Sequence, residues 1–370
     1  MVTETLDWLY VWSPYKNQVT NTLGVIAHSS GGRIIINNYA FLSGQRKITA
    51  IVFMASCFDY NELTQKISQS TTRILTLATA NPSDPCDGTV TAEGKPVQSV
   101  VGLADIIPGT IVDKTSVFFR ELKNQSSVYQ HFFQDSQTAR LFTTAFMGAY
   151  LNFIHDYREI LRGMVTVDAP DKTVATRLRH RDSTQGRVFS FEEQPGLQYF
   201  ATNNIISIKK GYAFSLVKNA LPAVKVLSFQ LKKTQPIPFP FEEKFSISIS
   251  GFPSIFHPEN SGYKYLAYSI GQVYDPARGK TNGVPWGIRV SLGLGSLANG
   301  PEVPFVIKQG IIDPANVRSA LATYAIPLSK LGIFGGGPIL AIHQVTFEFV
   351  GDPADMPIFM ISDAALWRDI

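Results

Sequence analysis

Residues 22–60 read TLGVIAHSSGGRIIINNYAFLSGQRKITAIVFMASCFDY and contain two short apolar runs, LGVIA and ITAIVFMA. Short runs that are apolar at nearly every position are typical of strands buried on both faces. The stretch between them opens with His-Ser-Ser-Gly-Gly and continues into residues that can form a helix. A strand, a turn of small residues, a helix and a second strand in this order predict a parallel α/β sheet.

The same alternation continues to about residue 163. RILTLA at 73–78 is a third apolar run, and TARLFTTAFMGAYLNFIHDYREILRG at 138–163 has apolar residues at intervals of three and four. That spacing predicts a helix beginning near Thr138, and Gly163 is suited to end it. We therefore predict an α/β domain over residues 1–167.

Residues 168–196 differ in composition from the chain before them. They include DKTVATRLRHRDSTQGR, which is rich in charged and small polar residues. This composition predicts a polar linker or a solvated loop. Arg177, Arg179, His180 and Arg181 form a basic run that could hold a phosphate or a polyanion, but a solvated group of charges is the commoner meaning of such a run.

Residues 197–370 consist of short runs with period-two alternation, separated by proline and glycine. KFSISISG at 244–251 and YKYLAYSIGQVY at 263–274 are examples. The pattern predicts an antiparallel β-sandwich of jelly-roll type. The expected fold class is therefore an α/β sheet followed by an all-β domain.

The composition of the chain excludes several classes of protein. Its 370 residues exceed what one core usually holds, and 45% hydrophobic residues exclude a largely disordered chain. Only 17% of the residues are charged, which favours a secreted or assembling protein, and a scattered net charge of +4 argues against nucleic-acid binding. No apolar run approaches the roughly 20 residues of a membrane helix, and no signal peptide is visible. We expect an extracellular protein or a subunit of an assembled particle.

The hexapeptide Ala-His-Ser-Ser-Gly-Gly at 27–32 resembles the nucleophile elbow of α/β-hydrolases. A serine on a sharp turn from strand to helix needs very small residues two places before and after it, and Ala27 and Gly31 meet that need. The resemblance implies that Ser29 is the nucleophile. It also implies that the Ser30 N–H is one donor to the oxyanion.

The resemblance further implies an acid and a base on later loops. The acid would follow the strand RILTLA, where Asp84 and Asp87 lie, and Asp87 is favoured because Gly88 allows a turn. His131 is the candidate base, since His155 falls inside the predicted helix and His28 would line the site.

Two cysteines are too few for a disulfide scaffold and lack metal-ligand spacing. Asp363 could ligate a structural calcium ion, but no Asp-rich loop supports such a site, so neither a metal nor a cofactor is expected. Under the resemblance, both cysteines would follow the carboxyl ends of adjacent strands, where a Cys57–Cys86 bridge is geometrically possible.

Two features leave alternatives open for this first region. Only residues 1–21 precede the segment that contains the elbow, so the strands that come earlier in a hydrolase sheet are absent. The chain would then be part of a longer protein, or partner chains would complete the sheet, or the match would be accidental. RIIINNYAF at 33–41 is also rich in β-branched residues and could be a strand, which would make residues 22–56 an antiparallel meander.

Residues 323–367 resemble the closing strands of galactose-binding-like jelly rolls and carbohydrate-binding modules. They read TYAIPLSKLG, then a long strand, then a final strand that contains Asp363. Such modules bind sugars by stacking aromatic side chains on pyranose rings, and the candidates here are Tyr263, Tyr265 and Trp286. Aromatic residues at alternating strand positions are also typical of a core.

Two hypotheses for function follow. The first is a serine esterase or lipase-like hydrolase whose sandwich binds carbohydrate or mediates assembly, with an ester or glycan as substrate. The second is a non-enzymatic structural protein, such as a coat or capsid-type subunit, that forms homo-oligomers. A carbohydrate-binding module alone would leave the first half as scaffold.

Overall fold

The structure is a computed structural model of the 370-residue chain. It describes residues 4, 8–17, 22–45, 48–59, 72–79, 88–90, 113–119, 137–164, 176–183, 186–190, 212–216, 227–233, 243–255, 262–272, 287–294, 302–303, 320–327, 342–351 and 358–368. Within these ranges, none of the helices has the length and apolar character that a membrane crossing requires.

In chain order the elements are a π-helix (Trp8–Trp12), β1 (Leu23–His28), α1 (Ser30–Asn37), α2 (Tyr39–Gln45), β2 (Ile48–Met54), β3 (Cys57–Asp59), β4 (Arg73–Thr79), β5 (Gly88–Val90), β6 (Lys114–Phe119), α3 (Gln137–Leu151), α4 (Asp156–Leu161), β7 (Thr176–Arg181), β8 (Gly186–Ser190), β9 (Tyr212–Leu216), β10 (Leu227–Lys233), β11 (Glu243–Ile255), β12 (Tyr263–Gln272), β13 (Gly287–Leu294), β14 (Glu302–Val303), β15 (Ala320–Pro327), β16 (Ile342–Gly351) and β17 (Phe359–Arg368).

A five-stranded sheet with the order β1-β2-β4-β6-β7 forms the first half of the chain. The first four strands are parallel, as the apolar runs predict, and β7 is antiparallel to β6. Every residue of β2 is buried, because this strand has neighbours on both sides and is covered on both faces. The sheet is extended by no other strand of the described residues.

The meander alternative for residues 22–56 is wrong, because residues 30–45 are helical. Ile35 and Ile36 of α1 are buried, while Ile34 is exposed. Packing one side of α1 onto the protein outweighs the weak preference of isoleucine for strands. The chain therefore bends from β1 directly into a helix.

The helix predicted at 138–163 is divided into α3 and α4. Phe153 lies between them with a positive φ of 56°, which interrupts the helical backbone. The two helices then pack closely, since a Cβ added at Gly148 would overlap the ring of Tyr157. Gly163 follows α4 with a φ of 73°, in agreement with its predicted role at a helix end.

Residues 168–196 were expected to be a linker, but they contain two strands. β7 pairs with β6 in the five-stranded sheet, and β8 pairs with β17 in the second half of the chain. The expectation of a solvated basic run is also wrong, because Arg179, His180 and Arg181 are buried. Arg179 instead contacts Ser269, Thr323 and Asp363 in the second half of the chain. We retain the division into residues 1–167 and 197–370 as a proposal.

The second half is an antiparallel β-sandwich, as the alternating runs predict. One sheet has the order β15-β12-β17-β10-β9 with β8 also on β17, and the other has the order β11-β16-β13-β14. Aromatic rings pack between the two sheets: the ring centroids of Tyr268 and Phe347 are 5.6 Å apart, and those of Phe359 and Phe349 are 4.5 Å apart. Two further runs that the sequence predicts as strands, NNIISIKK at 203–210 and PFVIKQG at 304–310, lie outside the described residues.

The other face of the six-stranded sheet contacts the first half of the chain. Side chains alternate along a strand, so Tyr268 of β12 faces the sandwich interior while Ser269 faces outward. Ser269 contacts Arg179 of β7. Met164 packs against Ala267 and its neighbours on the same face. This outer face is therefore an internal contact surface between the two halves.

Candidate functional site

Ser29 occupies a sharp bend between β1 and α1. Its backbone has φ 51° and ψ −126°, which is rare for a residue other than glycine. Its side chain makes no capping hydrogen bond to α1. The residue is partly exposed, between buried Ala27 and exposed Ser30. A bend of this kind presents a serine hydroxyl at the carboxyl edge of a parallel sheet.

Backbone hydrogen bonds hold this bend on both sides. The Ser29 N–H donates to the carbonyl oxygen of Met54, the last residue of β2, at 3.1 Å. The Ser29 carbonyl oxygen accepts from the Gly32 N–H at 3.1 Å. Strained φ and ψ values persist only where surrounding contacts fix them. The end of β2 and the first turn of α1 provide those contacts here.

The predicted steric need for a small residue two places after Ser29 is not what requires glycine at the bend. A Cβ added at Gly31 would have nothing within 4 Å, so no collision requires glycine there. At Gly32 the added Cβ would lie 2.5 Å from the Ser56 Cβ and 2.8 Å from its Oγ. Gly32 therefore allows the close approach of α1 to the segment after β2.

The predicted oxyanion donor, Ser30, is the first residue of α1. The backbone dipole of a helix places partial positive charge at this end. The first turn of α1 contains no acidic side chain that would neutralise that charge. The position suits stabilisation of a negative charge beside Ser29.

The predicted acid and base, Asp87 and His131, lie outside the described residues, as do Asp84 and Cys86. Gly88, the residue after Asp87, pairs with Cys57 where β5 runs parallel to β3. Cys57 in turn follows Ser56, whose Oγ donates to the Ala27 carbonyl oxygen at 3.2 Å.

His28 and His155 lie near opposite ends of the first sheet. His28 precedes Ser29 and is half-buried. His155 lies in the break between α3 and α4 and is exposed, not inside a helix as predicted. α3 ends at Leu151, whose Cδ1 would lie 2.5 Å from a Cβ on Gly24 at the start of β1. His155 is thus at the end of the sheet opposite to Ser29.

A second group of polar side chains, the junction cluster, is buried where the two halves meet. Asp113 accepts two hydrogen bonds from Arg158, at 2.5 Å from Nε and 2.9 Å from Nη2. It also accepts from the Tyr150 hydroxyl and from the Ser183 N–H. Burial and the charge of Asp182 oppose ionisation, but Arg158 holds the pKa of Asp113 below its usual value.

Asp182 and Arg162 form a second close ion pair of the junction cluster, and Arg158 Nη2 lies 3.6 Å from Asp182 Oδ1. Arg162 Nε and Nη2 each lie 2.5 Å from Asp182 Oδ2, and both side chains are fully buried. The Arg162 guanidinium also lies 5.6 Å from the ring centroid of Trp367 in β17. His180 Nδ1 lies 2.8 Å from Thr115 Oγ1.

Asp113, His180 and Asp182 bring three potential metal ligands within 4.8 Å of one another. The Arg158 and Arg162 guanidinium groups already neutralise the two carboxylates. Both buried carboxylates of the junction cluster are therefore paired without a metal ion, and the cluster contacts the second half of the chain where Arg162 and His180 lie beside Trp367. The sequence did not indicate this cluster, because His180 belongs to a run typical of solvated charges and Arg158 and Arg162 fall within the predicted helix at 138–163.

The predicted sugar-stacking residues differ in their surroundings. Tyr265 is half-buried and packs with Ala267 and Trp367 on the face that contacts the first half. Tyr263 is half-buried at the start of β12, and the Arg368 guanidinium lies 5.0 Å from its ring centroid. Trp286 lies outside the described residues.

No protein-family model and no curated protein matches the chain. Among solved structures, it is similar to a family 11 carbohydrate-binding module from Clostridium thermocellum bound to a mixed-linked tetrasaccharide, with 13% identity over 44% of this chain and 86% of that one and a TM-score of 0.27. A carbohydrate-binding module with specific mannan recognition has 14% identity over 50% and 98%, with a TM-score of 0.29. The K3 cleaved adhesin domain of Lys-gingipain from Porphyromonas gingivalis has 10% identity over 50% and 100%, with a TM-score of 0.24. TM-scores of this size do not establish a shared fold.

Proposed function

We propose that this protein is a serine hydrolase of the esterase type and that Ser29 is its nucleophile. The observation that carries the proposal is the backbone of Ser29, with φ 51° and ψ −126° between a buried parallel strand and a helix. This conformation is costly for serine and is typical of functional positions. A structural turn at this point would be less strained with glycine in place of Ser29.

The remaining groups of the reaction are assigned from their positions in the chain. Ser29 Oγ attacks the ester carbonyl carbon, and His131 accepts the hydroxyl proton and later donates it to the leaving alkoxide. Water then hydrolyses the acyl-enzyme by the same route. The Ser30 N–H stabilises the oxyanion, and Asp87 orients the imidazole. The pairing of Gly88 with Cys57 supports Asp87, because it brings the chain beside the segment that contacts the bend.

A fluorophosphonate probe tests the nucleophile directly, since it labels activated serines. The wild-type protein is expected to be labelled, with the modified peptide containing Ser29, and Ser29→Ala should abolish labelling. Ser43→Ala is the matched control, because Ser43 is an exposed serine on α2 that is bonded only to its own helix in the contacts described, at 3.3 Å from the Ala40 carbonyl oxygen. Folded wild-type protein that is not labelled would refute the proposal.

The acid and base assignments are tested with the same probe. Asp87→Ala and His131→Ala should each slow labelling at least 100-fold, the order of magnitude typical of general-base catalysis. Asp84→Ala is the internal control for the acid. Slow labelling of the Asp84 variant with normal labelling of the Asp87 variant would move the acid to Asp84. Absent labelling together with a large closed oligomer in light scattering would favour the coat-type structural subunit.

We also propose that the sandwich binds a glycan or mediates assembly, at an extracellular or particle-bound location. Tyr263 is the candidate with the best supported position, because its half-exposed ring lies beside the cationic Arg368. Affinity electrophoresis in gels containing soluble β-glucan, mannan or xylan measures this binding. Tyr263→Ala should abolish any retardation, whereas Tyr15→Ala, at an exposed tyrosine outside the sandwich, should not. Equal retardation of both variants would exclude Tyr263.

A further inference from the structure

Ser56 lies at the point where β1, β2 and α1 meet. It is 2% exposed, and its Oγ is 3.2 Å from the Ala27 carbonyl oxygen and 3.2 Å from the Met54 carbonyl oxygen. Ala27 is two residues before Ser29, and Met54 accepts the hydrogen bond of the Ser29 N–H. One hydroxyl therefore contacts the backbone just before the candidate nucleophile and the carbonyl oxygen that accepts the nucleophile's own N–H.

The backbone after β2 directs Ser56 into this position. Ala55 has a positive φ of 42°, and its N–H donates to the Leu77 carbonyl oxygen of β4 at 2.9 Å. The turn at Ala55 brings Ser56 back under the bend rather than onward along the sheet. Two neighbouring strands thus end in non-glycine residues with positive φ, Ser29 and Ala55, and their turns are in contact through Ser56.

The side chain of Ser56 also limits how closely α1 approaches the sheet. A Cβ at Gly32 would lie 2.5 Å from the Ser56 Cβ, so there is no space between the two residues. The hydroxyl fixes the strand side of the bend, and the Cβ fixes the helix side. A shift of Ser56 would move both the Ser29 Oγ and the N–H groups at the start of α1.

We infer that Ser56 is a positioning residue for Ser29: its hydroxyl and Cβ hold the bend in the conformation that the nucleophile and the oxyanion donor require. This inference rests on the proposed hydrolase function. Ser56 itself contacts no reacting atom. Its effect on the reaction is transmitted through the backbone of Ala27, Met54 and Gly32.

Ser56→Ala tests the hydroxyl, with two readouts. The second-order rate constant for fluorophosphonate labelling and the kcat for a short-chain p-nitrophenyl ester should both fall about five- to tenfold, with KM nearly unchanged, because one hydrogen bond contributes an amount of free energy that corresponds to such a factor. Ser13→Ala is the matched control, since Ser13 is a buried serine near the N terminus that accepts a hydrogen bond from the Tyr15 N–H. A purely structural role would lower the Tm of the Ser56 variant without changing the labelling rate of the folded protein.

A double-mutant cycle tests the Cβ contact. Gly32→Ala should slow labelling because the new methyl group collides with Ser56, and Ser56→Gly removes the atom with which it collides. The combined variant should therefore be labelled faster than the product of the two single effects predicts. If the rate of the combined variant equals the product of the two single effects on the labelling rate, this part of the inference is overturned.

The results separate this inference from the proposed function. Absent labelling of the wild-type protein would refute the hydrolase and the role of Ser56 with it. Normal labelling of the wild-type protein together with an unchanged rate for Ser56→Ala would refute only the positioning role.

Discussion

The Arg179 guanidinium lies against the Asp363 carboxylate, with Nη1 3.3 Å from Oδ1. Arg179 belongs to β7 of the five-stranded sheet, and Asp363 belongs to β17 of the sandwich. Arg179 Nη1 also donates to Thr323 Oγ1 at 3.2 Å, and the His180 N–H donates to the same oxygen at 3.1 Å. The two halves of the chain are therefore joined by charged and hydroxyl groups as well as by packing.

Asp363 should make the stability of the protein sensitive to acid. Burial raises the pKa of Asp363, but the charges of Arg179 and Arg181 outweigh it and hold the pKa below the ordinary value of 3.8. A depressed pKa in the folded state contributes stability that is present above the unfolded-state value and is lost as the pH falls through the folded-state value. The free energy of unfolding of Asp363→Asn should therefore fall less steeply than that of the wild-type protein as the pH is lowered.

Urea unfolding between about pH 2 and pH 6 measures this pH dependence. The comparison is of slopes, because Asp363→Asn also leaves Arg179 without its counter-charge and lowers stability at neutral pH. Asp156→Asn, at an exposed aspartate in α4, is the control. The prediction would be contradicted if the free energy of unfolding of the Asp363 variant fell with decreasing pH as steeply as that of the wild-type protein. Asp113 should contribute to the same pH dependence, since Arg158 holds its pKa below the ordinary value against burial.

Arg162→Met should be strongly destabilising. The side chains of Arg162 and Asp182 are both fully buried, so the substitution leaves a buried carboxylate without its main counter-charge. Breaking such a pair costs about 3–5 kcal/mol. Urea unfolding at neutral pH should show this loss, and the double variant Arg162→Met with Asp182→Asn should recover a large part of it. A double variant no more stable than Arg162→Met alone would show that Asp182 does not carry the penalty.

The strands of the first half were predictable because their signal is local. Each parallel strand is a short apolar run, and the bend at Ser29 follows from a strand, a turn of small residues and a helix in immediate succession. The purpose of Gly32 was not predictable. It depends on Ser56, which is brought to the bend by the positive φ of Ala55.

The strand β7 was not predictable because its partners are distant in the sequence. Arg179 contacts Ser269, Thr323 and Asp363, which are 90, 144 and 184 residues away. A window of sequence around Arg179 shows only charged residues, and it is typical of an exposed loop. Buried charges are tolerated when partners satisfy them, and only the fold shows that the partners are present.

Gly148→Ala should destabilise the protein although alanine favours helices. An added Cβ would overlap the ring of Tyr157, so α4 would have to move away from α3. Overpacking of this kind costs about 1–3 kcal/mol. Gly44→Ala is the matched control in α2, because an added Cβ there meets nothing within 4 Å. Urea unfolding should show lower stability for the first variant and unchanged or higher stability for the second, and equal stability of the two would contradict the proposed contact.

Tyr150 should remain protonated in the folded protein at pH values where free tyrosine ionises. Burial, followed by the charge of Asp113, raises the pKa of Tyr150 well above the ordinary value of 10.0. Because the folded-state pKa is raised, its contribution to stability is present below about pH 10 and is lost as the pH rises further.

Absorbance of tyrosinate at the red edge of the aromatic band tests this prediction. In the folded protein, Tyr150→Phe should leave the increase in tyrosinate absorbance up to about pH 11 unchanged, because Tyr150 does not ionise in that range. In concentrated guanidinium chloride the same variant should lose the amplitude of one of the fourteen tyrosines, which provides the internal control. An equal loss in the folded and unfolded states would show that Tyr150 is accessible to base and is not held against Asp113.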